Sequence, residues 1–149
     1  EGMYFSDVWW GKAEPIYVTS YPRESVDSKD GNWRFPPGVS QGSCGEVYNI
    51  WFENILASSE NGCFIRGDVP TKIHDIHLLH VDLTLKKYTS YAGGSYDMRP
   101  CKAPGFIYSP TYGVYMDTAT NIDIKDLQCK LGNPPIDNYA GETFRVNVQ

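Results

Sequence analysis

Residues near the start of the chain have side chains that could bind a carbohydrate. Tyr21 could stack on a sugar ring or hydrogen-bond to its rim, because tyrosine combines an apolar face with a hydroxyl group. Lys12 and Arg23 flank the same segment and could hold a carboxylate, the arginine through a bidentate pair. Trp10 could offer a flat platform for a sugar. The alternatives are structural: a loop tyrosine that closes a turn, a solvated edge and a tryptophan anchor.

Other combinations of reactive residues give weaker signals. The sequence has no Ser–His–Asp pattern, cysteine nucleophile, phosphate-binding loop or Glu-x-x-His pattern. His74, His77 and His80 recur every three residues, as metal ligands can, but their apolar neighbours direct them outward at different points around a bend. The four cysteines stand far apart, with no Cys-x-x-Cys motif. We therefore predict no metal and no cofactor, a solvated histidine face, and small buried thiols, with one disulfide as the alternative for a secreted protein.

Length and composition indicate one turn-rich β domain. The 149 residues include 14 Gly, 11 Tyr and 10 Pro, and long helix-forming runs are absent. The net charge of −5 and the lack of a basic patch argue against a nucleic-acid partner. No run of 18 apolar residues occurs, so we predict no membrane span. The chain opens directly on strand-like sequence, so we expect it to continue a longer protein.

A repeat runs through the chain. Three segments carry apolar residues at relative positions 0, 3, 5, 8 and 10. Residues two apart share one face of a strand, whereas the three-residue steps fit a bend that keeps the next strand facing inward. A short strand, a bend and another short strand form part of a β-solenoid coil. The aligned segments are residues 47–57, 73–83 and 119–129.

A glycine-led element precedes two of these segments, at Gly62 and Gly113, and residues 2–5 look like another copy. The first two segments are 26 residues apart and the next two 46, so the second coil should carry an insertion of about 20 residues. We place that insertion at 88–110 and a second long loop at 21–45. The tail, with an alternating run at 143–148, is predicted to form a last strand or cap.

The residues around Tyr21 also carry a family resemblance. The segment Asp7-Val-Trp-Trp-Gly-Lys-Ala-Glu-Pro-Ile-Tyr-Val-Thr-Ser-Tyr21 resembles the stretch of glycoside hydrolase family 28 in which a strand leads to a substrate-site tyrosine. The coil Val47-Tyr-Asn-Ile-Trp-Phe-Glu-Asn-Ile55 is similar to the family's Val-x-Asn-Ile-x-Phe-x-Asn-Ile coil. The loop 88–100 looks like an insertion of bacterial members. The resemblance covers roughly residues 7–130.

The resemblance implies a right-handed parallel β-helix and inverting hydrolysis of polysaccharides. In the family this chemistry depends on three aspartates in Asn-x-Asp and Asp-Asp motifs, with Gly-His-Gly and Arg-x-Lys motifs. Asp-Asp, Gly-His-Gly and Arg-x-Lys do not occur in this chain, and its one Asn-x-Asp, at 121–123, lies after Tyr21, whereas in the family these motifs precede the tyrosine. Of the family's site residues only Tyr21 carries over, and its spacing from Pro15 is one residue short. Whether the chain belongs to an enzyme therefore stays open at this point.

Together these patterns predict an all-β fold. Residues 1–149 should form a single partial domain, the C-terminal coils of a right-handed parallel β-helix with two long loop insertions. The predicted function is that of the C-terminal part of a polygalacturonase-like glycoside hydrolase, without its catalytic aspartates. The alternatives are a non-catalytic carbohydrate-binding or structural β-solenoid, and a polysaccharide lyase, which would need calcium. Expected partners are a polysaccharide or oligosaccharide, and a further protein surface at the exposed N-terminal coil edge. The resemblance implies an extracellular or periplasmic location.

Overall fold

The structure, a computed structural model, describes residues 3–4, 14–21, 44–98 and 105–149. Within these ranges the chain is all-β, and no helix occurs in them. The described residues form nine strands: β1 (Met3–Tyr4), β2 (Tyr17–Ser20), β3 (Val47–Ser59), β4 (Cys63–Gly67), β5 (Ile73–Leu85), β6 (Ser95–Asp97), β7 (Phe106–Tyr108), β8 (Thr111–Leu131) and β9 (Tyr139–Val148).

A parallel sheet nearly closes into a barrel-like shape around the core. Its strands follow the order β1-β3-β5-β8-β4-β2, and β9 pairs with β8. Strand β8 joins two halves, because its first part pairs with β4 and β9 and its last part pairs with β5. We call β3, β5 and the last part of β8 the long-strand half. The short-strand half consists of β2, β4, the first part of β8, and β9.

The strand register follows the sequence repeat. Val47 lies opposite Ile73, and Ile76 lies opposite Ile122, so each apolar position stacks on its equivalent in the next strand. All fifteen residues predicted to point inward belong to one core cluster. Those of the middle strand β5 are at most 1% exposed, because strands cover them on both sides. The repeat therefore identified this core correctly.

In the long-strand half, β3, β5 and the last part of β8 each bend at two left-handed residues that lie five positions apart. Their φ angles fall between 51° and 56°, a region that Asn and Asp enter more readily than other non-glycine residues. They lie within the three-residue steps of the repeat, so the predicted bends are confirmed. These residues are Asn49 and Asn54 in β3, Asp75 and His80 in β5, and Asn121 and Asp126 in β8.

Thr118 occupies a similar left-handed position with a φ of 53°, although it is β-branched. We expect Thr118→Asn to stabilise the protein by about 1 kcal/mol, because asparagine is less strained in this conformation. The asparagine amide can also replace the hydroxyl that donates to Asp117 Oδ1 at 2.8 Å. Urea unfolding is the measurement, and Thr120→Asn is the control because Thr120 has no positive φ. An equal gain in both variants would contradict this explanation.

The glycine-led elements pair as predicted for two of the three copies. Cys63 lies opposite Val114 and Phe64 opposite Tyr115 in the short-strand half. The prediction for residues 2–5 was wrong, since Met3 and Tyr4 lie beside the end of β3 in the long-strand half. The third copy is instead β2, which pairs with β4. A strand of two residues is too short for its sequence to determine which strand it pairs with.

The extra residues of the second coil form a hairpin outside the sheet. Strands β6 and β7 pair in antiparallel fashion within the predicted insertion at 88–110. The tail forms β9, which pairs with the first part of β8, so the predicted last strand is confirmed. Most of the second predicted loop, 21–45, lies outside the described residues.

Three of the four cysteines lie in the described ranges, and these three are free thiols. Cys63 is fully buried, as predicted, whereas Cys44 and Cys129 are partly exposed. Burial raises the pKa of the Cys63 thiol to about 12, so this side chain stays protonated at neutral pH. Cys101 lies outside the described residues.

Candidate functional site

Tyr21 directly follows β2 and lies on the outer side of the short-strand half. Its ring is partly buried against an aromatic cluster that includes Tyr115. Its phenolic oxygen accepts a hydrogen bond of 2.8 Å from Nε of Arg66, which lies on the neighbouring strand β4. Burial raises the pKa of the Tyr21 phenol, although the hydrogen bond from Arg66 acts in the opposite direction. Tyr21 is thus a fixed, neutral side chain at this surface.

Arg66 also forms an ion pair with the next strand. Its Nη1 lies 3.1 Å from Oδ2 of Asp117 on β8, and both side chains are largely shielded from solvent. Asp117 Oδ1 accepts hydrogen bonds from the Thr118 hydroxyl at 2.8 Å and from the Asn147 amide at 3.3 Å. A chain of contacts therefore runs from Tyr21, at the end of β2, through β4 and β8 to β9.

Sequence reasoning missed Arg66 and Asp117, although the sequence carries a signal for them. Both residues lie four positions after a glycine: Gly62 just before β4, and Gly113 near the start of β8. Within those strands the inward and outward positions alternate, so both side chains point outward at the same level. Opposite charges on adjacent parallel strands at the same offset predict a cross-strand ion pair.

Beside Tyr21, a stack of aromatic rings covers the short-strand half. Phe64 lies 5.3 Å from both Tyr17 and Tyr115, and Tyr115 lies 5.3 Å from Phe144, measured between ring centroids. The hairpin packs onto this stack through Tyr96, whose ring is 4.5 Å from that of Phe64. Through Tyr96 the insertion thus borders the surface that carries Tyr21.

Two consecutive polar residues after β3 hold the insertion in place. The buried carboxylate of Glu60 accepts hydrogen bonds from the backbone N–H groups of Tyr88 and Thr89, each at 2.5 Å. The side-chain oxygen of Asn61 accepts from the Gly94 N–H at 2.9 Å. Asparagine at a corner commonly satisfies backbone groups in this way.

The remaining predicted binding residues Lys12, Arg23 and Trp10 lie outside the described residues, so their roles stay predictions. Of the predicted substrate-binding residues, the structure describes Tyr21.

The three histidines point outward from the long-strand half, but their surroundings differ from the predicted solvated face. His74 stacks on Tyr48 with centroids 5.0 Å apart, and His77 stacks on Trp51 at 3.8 Å. These aromatic residues cover the imidazoles because they occupy the same register position in β3. His80 remains mostly exposed and pairs with Asp126 at 2.8 Å. The prediction of free solvation was therefore wrong for His74 and His77.

Carboxylates accompany all three histidines. Nδ1 of His74 lies 2.7 Å from Asp75, and Nδ1 of His77 lies 3.6 Å from Asp123. In the described ranges no group of three or more His, Cys, Asp or Glu side chains could hold a metal ion. The described ranges also contain no helix that is long and apolar enough to cross a membrane.

Asp75 should make part of the stability depend on pH. Hydrogen bonds from His74 and then Asn121 hold the pKa of its carboxyl below the usual value. A carboxyl group with a lowered folded-state pKa stabilises the protein above its unfolded pKa of about 3.9, and this contribution is lost as pH falls through the folded pKa. We expect the difference in unfolding free energy between wild type and Asp75→Asn to shrink between about pH 5 and pH 2. Urea unfolding across this range is the check, and a difference that does not vary with pH would contradict it.

Compared with known proteins, the chain matches no family model, no curated protein and no solved structure. Its function therefore has to be inferred from its own residues and their arrangement.

Proposed function

We propose that this chain forms the C-terminal coils of a polysaccharide-acting protein similar to glycoside hydrolase family 28. In this proposal Tyr21 and Arg66 belong to one wall of the carbohydrate site. The observation that supports it is the fixed position of Tyr21, whose ring is partly buried while its hydroxyl is held by Arg66. A tyrosine in such a setting offers a sugar both an apolar surface and a polar group.

We further propose that the fold is a right-handed parallel β-helix. In support, parallel strands pair with strands one repeat later, 26 residues apart for β3 and β5. The bends recur at the same positions in three successive strands. The long insertion leaves this register unchanged, since β5 pairs with β8 position by position. These features are typical of stacked coils with loops between them.

The catalytic carboxylates of this proposed hydrolase lie outside this chain. Inverting hydrolysis needs one carboxyl group to protonate the leaving oxygen and another to activate water. Asp117 is engaged with Arg66, Thr118 and Asn147, so it already has a structural role. Sequencing the gene upstream of Glu1 tests this point, because Asn-x-Asp, Asp-Asp and Gly-His-Gly motifs are expected there. An extracellular or periplasmic location is part of the same proposal.

Carbohydrate binding by this chain tests the role of Tyr21 directly. We expect a galacturonic acid hexamer to bind, as measured by isothermal titration calorimetry, and Tyr21→Phe to weaken binding about fivefold. The control is Tyr48→Phe, which removes a hydroxyl from an exposed tyrosine on the long-strand half. Equal affinity of wild type and Tyr21→Phe would overturn the assignment of Tyr21.

The second candidate function is a non-catalytic carbohydrate-binding or structural β-solenoid. It is favoured by Tyr48 and Trp51, whose side chains are exposed at 56% and 54% while one face of each ring stacks on a histidine. Loss of hexamer binding in Trp51→Ala but not in Tyr21→Phe would favour this candidate. An upstream gene that encodes coils but none of the three motifs would do the same.

We also propose that the chain associates through the edge of β3. Ile50, Phe52 and Ile55 point toward the core there but are only partly buried. Among the described residues, β1 pairs with just two positions of β3 at that edge. Sedimentation velocity should show concentration-dependent association of this chain, because exposed strand edges pair readily. Monomeric behaviour over a wide concentration range would contradict it.

A further inference from the structure

We propose that Arg66 is a positioning residue, which binds the phenolic oxygen of Tyr21 and thereby directs the phenolic hydrogen toward an acceptor oxygen of the ligand. This proposal rests on the proposed function, in which Tyr21 belongs to a carbohydrate site. It adds that Tyr21 donates a hydrogen bond to the ligand and that Arg66 is the residue that sets this role.

The direction of the hydrogen bond follows from the chemistry of the two groups. A guanidinium group has only donors, so the phenolic oxygen of Tyr21 must accept the 2.8 Å bond from Arg66 Nε. The hydroxyl group has a single hydrogen, which this contact leaves uncommitted. Within the described ranges, the bond from Arg66 is the hydrogen bond recorded for this hydroxyl. An acceptor oxygen of a bound ligand can therefore take this hydrogen.

The position of Arg66 is itself fixed from the opposite side. Its Nη1 lies 3.1 Å from Asp117, which is held in turn by the Asn147 amide at 3.3 Å. The exposed fractions of the Arg66 and Asp117 side chains are 20% and 8%, so solvent screens this ion pair weakly. Because the guanidinium is planar, fixing Nη1 also fixes the direction of the Nε–H bond toward Tyr21.

This arrangement predicts the kind of ligand atom at Tyr21. A phenol that accepts a hydrogen bond from a cation is polarised and becomes a stronger donor. The favoured atom is thus an acceptor, such as a sugar hydroxyl, ring or carboxylate oxygen.

The test combines nuclear magnetic resonance with a double-mutant cycle on this chain. The Cζ resonance of Tyr21, in protein with 13C-labelled tyrosine, is identified as the signal that Tyr21→Phe removes. We expect Arg66→Lys to move this resonance, because lysine keeps a charge for Asp117 but loses the rigid Nε donor. Arg145→Lys, at an exposed arginine of β9, is the control and should leave the resonance unchanged.

The double variant Arg66→Met with Asp117→Asn covers the case in which Arg66→Lys does not fold, because it removes both members of the ion pair. The affinity for the galacturonic acid hexamer is then measured for Tyr21→Phe, for Arg66→Lys or this double variant, and for the combination. If Arg66 acts through Tyr21, each change weakens binding about fivefold and the combination weakens it no further.

The two proposals can fail separately. An unchanged Tyr21 resonance in both arginine variants, or additive losses of affinity, would overturn the positioning role of Arg66. If Tyr21→Phe binds the hexamer as tightly as wild type while the resonance still moves in the arginine variants, Arg66 positions Tyr21 but the proposed function of Tyr21 fails.

Discussion

Gly62→Ala is expected to destabilise the protein by about 3 kcal/mol or to prevent folding. A Cβ atom at Gly62 would lie 1.9 Å from the carbonyl oxygen of Tyr112 and 2.3 Å from that of Gly113. Both are backbone atoms of the adjacent strand β8, so no side chain can rotate away to make room. Strand β4 and the first part of β8 would have to separate at the point where the chain enters β4.

Gly45→Ala is the matched control, because a Cβ atom at Gly45 would have no neighbour within 4 Å among the described residues. It should change the free energy of unfolding by no more than about 0.5 kcal/mol. Urea unfolding followed by circular dichroism gives both values. If the two alanine variants were equally stable, the close packing of β4 on β8 would be wrong.

Glu60→Ala is expected to lower the free energy of unfolding by about 3 kcal/mol. The fully buried carboxylate accepts two backbone N–H groups, from Tyr88 and Thr89, and the Thr89 hydroxyl at 3.1 Å. Removing it leaves these donors without an acceptor where the insertion leaves the end of β5. We expect the Tyr88 and Thr89 amides to exchange hydrogen faster, since the carboxylate protects them.

Glu53→Ala is the control for this loss, since Glu53 is exposed on β3. It should leave both stability and amide exchange close to wild type. Glu60→Gln should fall between wild type and Glu60→Ala, because its amide retains one acceptor oxygen. Unaltered protection of the two amides in Glu60→Ala would show that the insertion is held by other contacts.

The sequence predicted the core of the long-strand half because three strands repeat one pattern. Inward positions such as Ile76 and Leu78 are apolar in every copy, and the bends fall where the spacing changes from two to three residues. The partner of Met3 and Tyr4 could not be predicted, because a two-residue strand has no periodicity. Strand pairing at that end depends on contacts between residues distant in sequence.

The candidate site was only partly predictable. Tyr21 was found through the family resemblance, whereas Arg66 required knowing which short strands lie side by side. The stacking of His77 on Trp51 needed the same information, since the two residues are 26 positions apart. Side-chain contacts between neighbouring strands depend on which residues lie opposite each other. The structure shows this register, whereas the sequence does not determine it for every strand.

The paired bends of the long strands also favour a single register between neighbouring strands. In β3, β5 and the last part of β8, two left-handed residues lie five positions apart, so neighbouring strands bend at the same two positions. A strand shifted by one or two residues would set a bend against a straight segment, and a shift of one would also turn apolar side chains to the outside. A shift of five would match one bend and leave the other unmatched. Strand shape and hydrophobicity therefore select the same register independently, so the loops between these strands can vary in length without changing it.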